Sequence, residues 1–217
     1  KVWDVATGEE VHTLAGHADT VRSAVFSPNG KLVVTASWDN TAKVWDVATG
    51  EEVHTLAGHT GPVYSAVYSP NGKLVVTASE DNTAKVWDVA TGEEVHTLAG
   101  HADTVRSAVF SPNGKLVVTA SWDNTAKVWD VATGEEVHTL AGHTGPVYSA
   151  VYSPNGKLVV TASEDNTAKV WDVATGEEVH TLAGHADTVR SAVFSPNGKL
   201  VVTASWDNTA KVWDVAT

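Results

Sequence analysis

Across 217 residues the chain carries 26 acidic residues against 14 lysines and arginines, a net charge of −12, with neither cysteine nor methionine. That balance repels a phosphate backbone and argues against nucleic acid as a partner, and without cysteine there is no disulfide framework or thiolate metal site. No apolar stretch approaches the roughly 18 residues of a membrane span and no signal-peptide pattern opens the chain, so a soluble chain without membrane partners is expected.

The chain opens on Lys-Val-Trp-Asp at Lys1, and the same four residues return at Lys43, Lys85, Lys127, Lys169 and Lys211, a constant step of 42 residues. Nothing resembling a linker separates the copies. A period near 42 points to a solenoid or a propeller. Because methionine is absent, Lys1 is not expected to be the first translated residue, and the chain is expected to have been processed or cut from something longer.

Residues 1–16 read as two strands, and residues 17–58 as a complete unit of four. The run TVRSAVFSP ends on Pro28-Asn29-Gly30, KLVVTAS follows and breaks at Asp39-Asn40, TAKVWDV runs to Ala48-Thr49-Gly50, and EEVHTLA stops at Gly58. Each break is a turn signal and each run is β-rich. The second strand is apolar on both faces around Leu32, Val33 and Val34, as in a strand covered on two sides. Glu51, Glu52 and His54 make the fourth strand polar and outermost. Residues 59–100, 101–142 and 143–184 repeat the unit, and residues 185–217 supply three strands of a last one. One such sheet buries too little to offset about 1.5 kcal/mol of ordering entropy per residue, so each needs neighbours.

The fragments AGH, SPNGKLVVTAS and DNTAKVWD, with their spacing, resemble the WD-repeat (Trp-Asp repeat) β-propeller family, and the resemblance covers the whole chain. It implies an all-β propeller of four-stranded antiparallel blades, usually seven or eight in a ring, with the last blade completed from the other terminus. It also assigns His17, Thr35, Asp39 and Trp45 to a buried hydrogen-bond network, with His59, Thr77, Asp81 and Trp87 and His101, Thr119, Asp123 and Trp129 as copies. In that network the histidine bridges the Asp turn and the hydroxyl, which receives the indole N–H. Ser37 is an alternative to Thr35, since both lie on one face of their strand.

The same His, Ser or Thr, and Asp types make nucleophilic triads. Five identical copies argue instead for a structural staple and for no catalytic residue, because chemistry needs one asymmetric site. His12 and its copies suggest a ring of imidazoles, but no second ligand type lies nearby. An exposed outer-strand histidine is expected, with no metal and no cofactor. The pairs Glu9-Glu10 and Glu51-Glu52 are expected to solvate the outer edge.

Two unit types alternate: residues 17–58 equal 101–142, and 59–100 equal 143–184. They differ at Ala18/Thr60, Asp19/Gly61, Thr20/Pro62, Arg22/Tyr64, Phe26/Tyr68 and Trp38/Glu80. Counting back through the hairpin puts Thr20 opposite Trp38, so five of the six differences gather on one rim. Thr20, Arg22, Trp38, Tyr64 and Glu80, with Arg106, Trp122, Tyr148, Glu164, Arg190 and Trp206, form a candidate rim for protein or peptide ligands. Arg22 is expected over the Trp38 ring and against Glu80 of the next blade.

Identity at every position, silent ones included, implies a designed or consensus symmetric scaffold without an evolved ligand. The alternative is a natural interaction module amplified very recently. An arginine-bearing unit at both ends cannot alternate around five blades, so residues 1–217 are expected to form an arc of an even-numbered ring, most simply of eight. Its missing blades would come from further chain or from other copies of the same blades.

Overall fold

A computed structural model describes residues 1–215; Ala216 and Thr217, at the end of the closing Lys-Val-Trp-Asp-Val-Ala-Thr run, lie outside the described residues. Every regular element among the described residues is a strand. A leading hairpin pairs β1 (Val2–Trp3) with β2 (Glu10–His12). The first blade is β3 (Val21–Phe26), β4 (Leu32–Ser37), β5 (Thr41–Asp46) and β6 (Glu52–Ala57). The second is β7 (Val63–Tyr68), β8 (Leu74–Ser79), β9 (Thr83–Asp88) and β10 (Glu94–Ala99). The third is β11 (Val105–Phe110), β12 (Leu116–Ser121), β13 (Thr125–Asp130) and β14 (Glu136–Ala141). The fourth is β15 (Val147–Tyr152), β16 (Leu158–Ser163), β17 (Thr167–Asp172) and β18 (Glu178–Ala183), and a last sheet holds β19 (Val189–Phe194), β20 (Leu200–Ser205) and β21 (Ala210–Asp214). Within each sheet, strands pair antiparallel in chain order.

The turn chemistry fixes these hairpins. Asn40 holds φ at 69°, a left-handed conformation that asparagine tolerates because its short amide bonds locally. Ser27 Oγ donates to Asn29 Oδ1 at 2.8 Å and accepts from Leu32 N at 3.0 Å, which locks the Pro-Asn-Gly turn. At the next corner Asp46 Oδ1 accepts from Ala48 N and Thr49 N.

Blades stack face to face, with β3, β7, β11, β15 and β19 lined up innermost. At each junction a small-residue face meets a large-residue one. Val76, Ala78, Ala84, Val86 and Leu98 of the second blade pack on Val105, Ala108, Phe110, Val117 and Trp129 of the third. Small side chains let the sheets approach closely enough for the indole to be enclosed.

Among the described residues the two ends do not join. β1 and β2 form one sheet and β19, β20 and β21 another. Phe26 stays exposed at one end, and Val202 and Val212 at the other. A groove of about 340 Å³, lined by Val2, Leu14, Ala24, Phe26 and Val33, runs beside the leading hairpin.

Candidate functional site

Each histidine that follows a glycine is placed by two strands and a turn. His17 Nδ1 lies 2.8 Å from Asp39 Oδ2, and its Nε2 lies 2.7 Å from Thr35 Oγ1. Trp45 Nε1 donates to the same hydroxyl at 2.8 Å. With the ring proton on Nδ1, every donor meets an acceptor: indole to hydroxyl, hydroxyl to imidazole, imidazole to carboxylate. His59, Thr77, Asp81 and Trp87 repeat the arrangement, as do His101, Thr119, Asp123 and Trp129. Two further copies follow at His143, Thr161, Asp165 and Trp171 and at His185, Thr203, Asp207 and Trp213.

Ser37 takes a different place: its hydroxyl donates to Asp19 O at 3.1 Å and accepts from Asp39 N. Thr41, which sequence reasoning passed over, donates its hydroxyl to Asp39 Oδ1 at 2.7 Å. Burial pushes the Asp39 carboxyl up, but bonds from the Thr41 hydroxyl, the Ala18 N–H and His17 outweigh it and hold the carboxyl well below 3.8.

The order carboxylate, imidazole, hydroxyl is that of a nucleophilic triad, yet the Thr35 hydroxyl is engaged on both sides and the residue is 4 % exposed. The network ties the strand-four exit, the β4–β5 turn and β5 together, as a cross-strand staple.

Two outer-strand details depart from expectation. His12 is half-buried, with Nε2 3.2 Å from Ala48 O of the following blade's corner, and His138 meets Ala174 O in the same way. Glu52 accepts from Lys43 Nζ at 2.7 Å and from the Thr55 hydroxyl, so it is a specific partner on its own blade's face. Among the described residues no group of three or more His, Asp or Glu side chains could hold a metal ion.

The rim is built at a bulge. Register slips between Val21 and Ser23, and Arg22 falls in the slip, re-aimed out of the ladder. Thr20 sits opposite Trp38, whose N–H donates to Thr20 O at 3.0 Å. Arg22 lies 5.2 Å from the Trp38 ring. Arg106 lies 4.0 Å from Tyr64 of the preceding blade and 5.5 Å from its own Trp122. Arg190 likewise lies 3.8 Å from Tyr148 and 4.8 Å from Trp206.

The expected pairing of Arg22 with Glu80 is corrected. Glu80 accepts from the Tyr64 hydroxyl at 2.7 Å, and Glu164 from Tyr148. A tyrosine on the same blade is nearer and already oriented, and it takes the carboxylate. Burial, and then that bond, raise the Tyr64 phenol above 10.0.

A family model described as "WD domain, G-beta repeat" matches residues 8–46, 50–88, 92–130, 134–172 and 176–214. The chain belongs to the WD40 family. Curated relatives match it over no more than one repeat. The Periodic tryptophan protein 2 homolog of Neurospora crassa is 48% identical over 42 residues, 19% of this chain and 5% of the relative. The guanine nucleotide-binding protein subunit beta of Saccharomyces cerevisiae is 50% identical over 42 residues, 19% of this chain and 10% of the relative. Nuclear distribution protein PAC1-2 of Postia placenta is 52% identical over 31 residues, 14% and 7% of the two chains. The matched stretches thus span at most a tenth of these relatives. WD40 propellers generally serve as non-catalytic scaffolds that bind protein partners, and the blades described above are consistent with that class.

Proposed function

We propose that this WD40 array is a symmetric scaffold, of designed or consensus type, whose blades complete a larger ring by associating with further blades of the same kind, and that it carries no catalytic activity. The observation that carries this reading is the identity between the buried and the uncovered faces. Val202, Ala204, Ala210 and Val212 of the last sheet are the same residues, in the same register, as Val76, Ala78, Ala84 and Val86, which the third blade buries. At the other end Val21, Ala24, Phe26, Val33 and Trp45 copy the face that the second blade covers on the third; Val21 and Phe26 are uncovered there, whereas Val33 and Trp45 are already buried in the single chain. Each end therefore presents half of an interface whose other half is at the opposite end.

Burying those faces removes apolar surface from water at about 25 cal/mol per Å². In a solution of these 217 residues a second copy is the available source. Each junction has one third strand too many, β1 or β21, and it sets Arg22 and Arg190 in adjacent blades. An even-numbered ring of strictly alternating blades avoids that pairing, and eight is the number proposed. The test is the solution mass of the chain as a function of concentration: assembly beyond 22.8 kDa is expected. A particle that stays at that mass at every concentration overturns the reading.

A second reading, partner binding through the rim, is favoured by one observation of its own. Tyr64, Arg106, Trp122, Tyr148, Arg190 and Trp206 form a stacked series along one edge. Aromatic and arginine side chains dominate binding hot spots. Repeat-unit DNA separates design from recent amplification, since design recodes synonymous codons and duplication copies them.

A further inference from the structure

The ring contacts that cross a junction on the rim join unlike units. Arg106 lies 4.0 Å from the Tyr64 ring and Arg190 lies 3.8 Å from the Tyr148 ring, in each case the arginine of one blade over the tyrosine of the blade before it. Tyr148 also meets Trp122 of the preceding blade edge-on, with centroids 6.4 Å apart, and Trp206 of the following blade at 6.5 Å. Each tyrosine is held for this by its own blade, since the Tyr64 hydroxyl donates to Glu80 and the Tyr148 hydroxyl to Glu164, both at 2.7 Å. A phenol that donates to a carboxylate presents a more electron-rich face to the guanidinium stacked on it.

A junction of like units has none of this. Where two arginine-bearing blades stand side by side, the earlier one offers a guanidinium and an indole in place of Tyr64 and Glu80, and cation faces cation. Where two tyrosine-bearing blades do, carboxylates adjoin with no arginine over either ring. Side chains at neighbouring bulges approach to 4.0 Å, well inside the distance over which salt screens like charges. The apolar part of the junction barely distinguishes the types: Val76, Ala78, Ala84, Val86 and Leu98 have identical counterparts in every complete blade, and the face they meet differs only in Phe110 for Tyr68. The chain carries the arginine type at both ends, and Arg22 is exposed there, whereas Arg106 and Arg190 are half-buried.

We propose that Arg22, Trp38, Tyr64 and Glu80, with their copies, form a junction code that favours unlike neighbours. The partner that both ends of this chain select is then an array presenting a tyrosine-bearing unit to each of them, and the arginine-bearing end of a second copy is the weaker match. Such a partner would repeat the Arg190–Tyr148 stack at Arg22 and the Trp122–Tyr148 contact at Trp206. The choice of partner rests on ring completion, but the code itself acts within one chain.

The first test is therefore internal. Tyr64→Arg/Glu80→Trp sets three arginine-bearing blades in a row and creates two like junctions, so the urea midpoint should fall, and fall less at high salt. Adding Arg22→Tyr/Trp38→Glu leaves one like junction, so these two further substitutions should recover about half of the loss. If the first variant does not fold, recovery of a cooperative transition in the second carries the same test. No loss in the first variant, or a further loss in the second, overturns the code. The ends are tested by solution mass against concentration. Arg190→Tyr/Trp206→Glu makes the contact between copies an unlike junction and should tighten association about tenfold. Combining it with Arg22→Tyr/Trp38→Glu restores a like junction and should return the affinity to within about threefold of the unaltered chain. Equal affinity in all of these chains, or tightest association in the combined variant, overturns the choice of partner. If none associates at any concentration while the internal exchanges behave as stated, ring completion fails with its partner and the code stands.

Discussion

β12 and β20 have the same sequence, Leu-Val-Val-Thr-Ala-Ser, and the same hydrogen-bonded partners within their sheets. Val118 on β12 is fully buried, whereas its counterpart Val202 on β20 is 41 % exposed. The rim shows the same gradient: Trp122 is half-buried between blades, and Trp206 is 58 % exposed. A blade's sequence thus fixes its sheet and its internal network, but its burial belongs to the neighbour. Stability in such an array is a sum over interfaces, and an end differs from the middle by one missing term.

The sharpest way to break this comparison is a charge on the interface face. Val118→Asp places a carboxylate between packed sheets, and a loss of more than about 4 kcal/mol is expected, enough to abolish cooperative folding. Val202→Asp is expected to change the stability of the single chain by no more than about 0.5 kcal/mol and to prevent the proposed association. Denaturant unfolding and solution mass on both variants decide it. Equal destabilisation would mean that β20 is already covered.

Acid is expected to act on all five networks at once. Burial pushes Asp81, Asp123 and Asp165 up, but the bonds from their histidine and threonine partners outweigh it and hold the carboxyls below 3.8. In Asp207, at the end, the Thr209 bond is the leading cause instead. Because the folded values are depressed, the stability they confer is fully present above pH 3.8 and is lost as pH falls below it through the folded values. The unfolding midpoint should be flat across the weakly acidic range and drop steeply below it. Asp123→Asn should lower the plateau and shrink that drop by more than Asp207→Asn does.

Removing a single indole donor is a smaller step. Trp129→Phe leaves the buried Thr119 hydroxyl underpaired and should cost about 1 to 3 kcal/mol. Trp213→Phe, in a sheet with one open face, should cost less, because water can replace the lost donor. All five replaced together should prevent folding. Thermal melts of the single variants test the order, and equal losses would remove the link between burial and network strength.

How much of this was legible depends on the range of the interaction. The 42-residue step, the Pro-Asn-Gly and Asp-Asn turns and the Val-rich second strand are local signals, and they produced the blade. Family resemblance supplied His17, Thr35, Asp39 and Trp45, but period-two alternation alone could not choose between Thr35 and Ser37. What stayed hidden spans a slip or a junction. No residue type marks the bulge at Arg22, and nothing in Glu51-Glu52 tells which carboxylate meets Lys43. His12 looked solvent-facing because its partner, Ala48 O, lies one blade further on. Arg22 was assigned to Glu80 by charge alone, and the neutral Tyr64 hydroxyl went uncounted.

The finest test of the same comparison uses two glycines in identical turns. Gly8 and Gly176 hold φ at 73° and 74°, a conformation that costs an L side chain about 1 to 2 kcal/mol. At Gly8 an added Cβ meets nothing within 4 Å, because no earlier blade lies against that corner in the structure. At Gly176 it would lie 2.9 Å from the ring of His138, whose Nε2 is anchored 3.2 Å from Ala174 O on the same corner. Gly8→Ala should therefore show the backbone cost alone, and Gly176→Ala about 1 kcal/mol more, for displacing the ring and its bond. Trimming the ring in Gly176→Ala/His138→Ala should return the glycine penalty to the Gly8 value, measured as a coupling energy in a double-mutant cycle. If the two glycine variants lose the same stability, the outer histidine is not a clamp between blades, and the array is held by its inner strands alone.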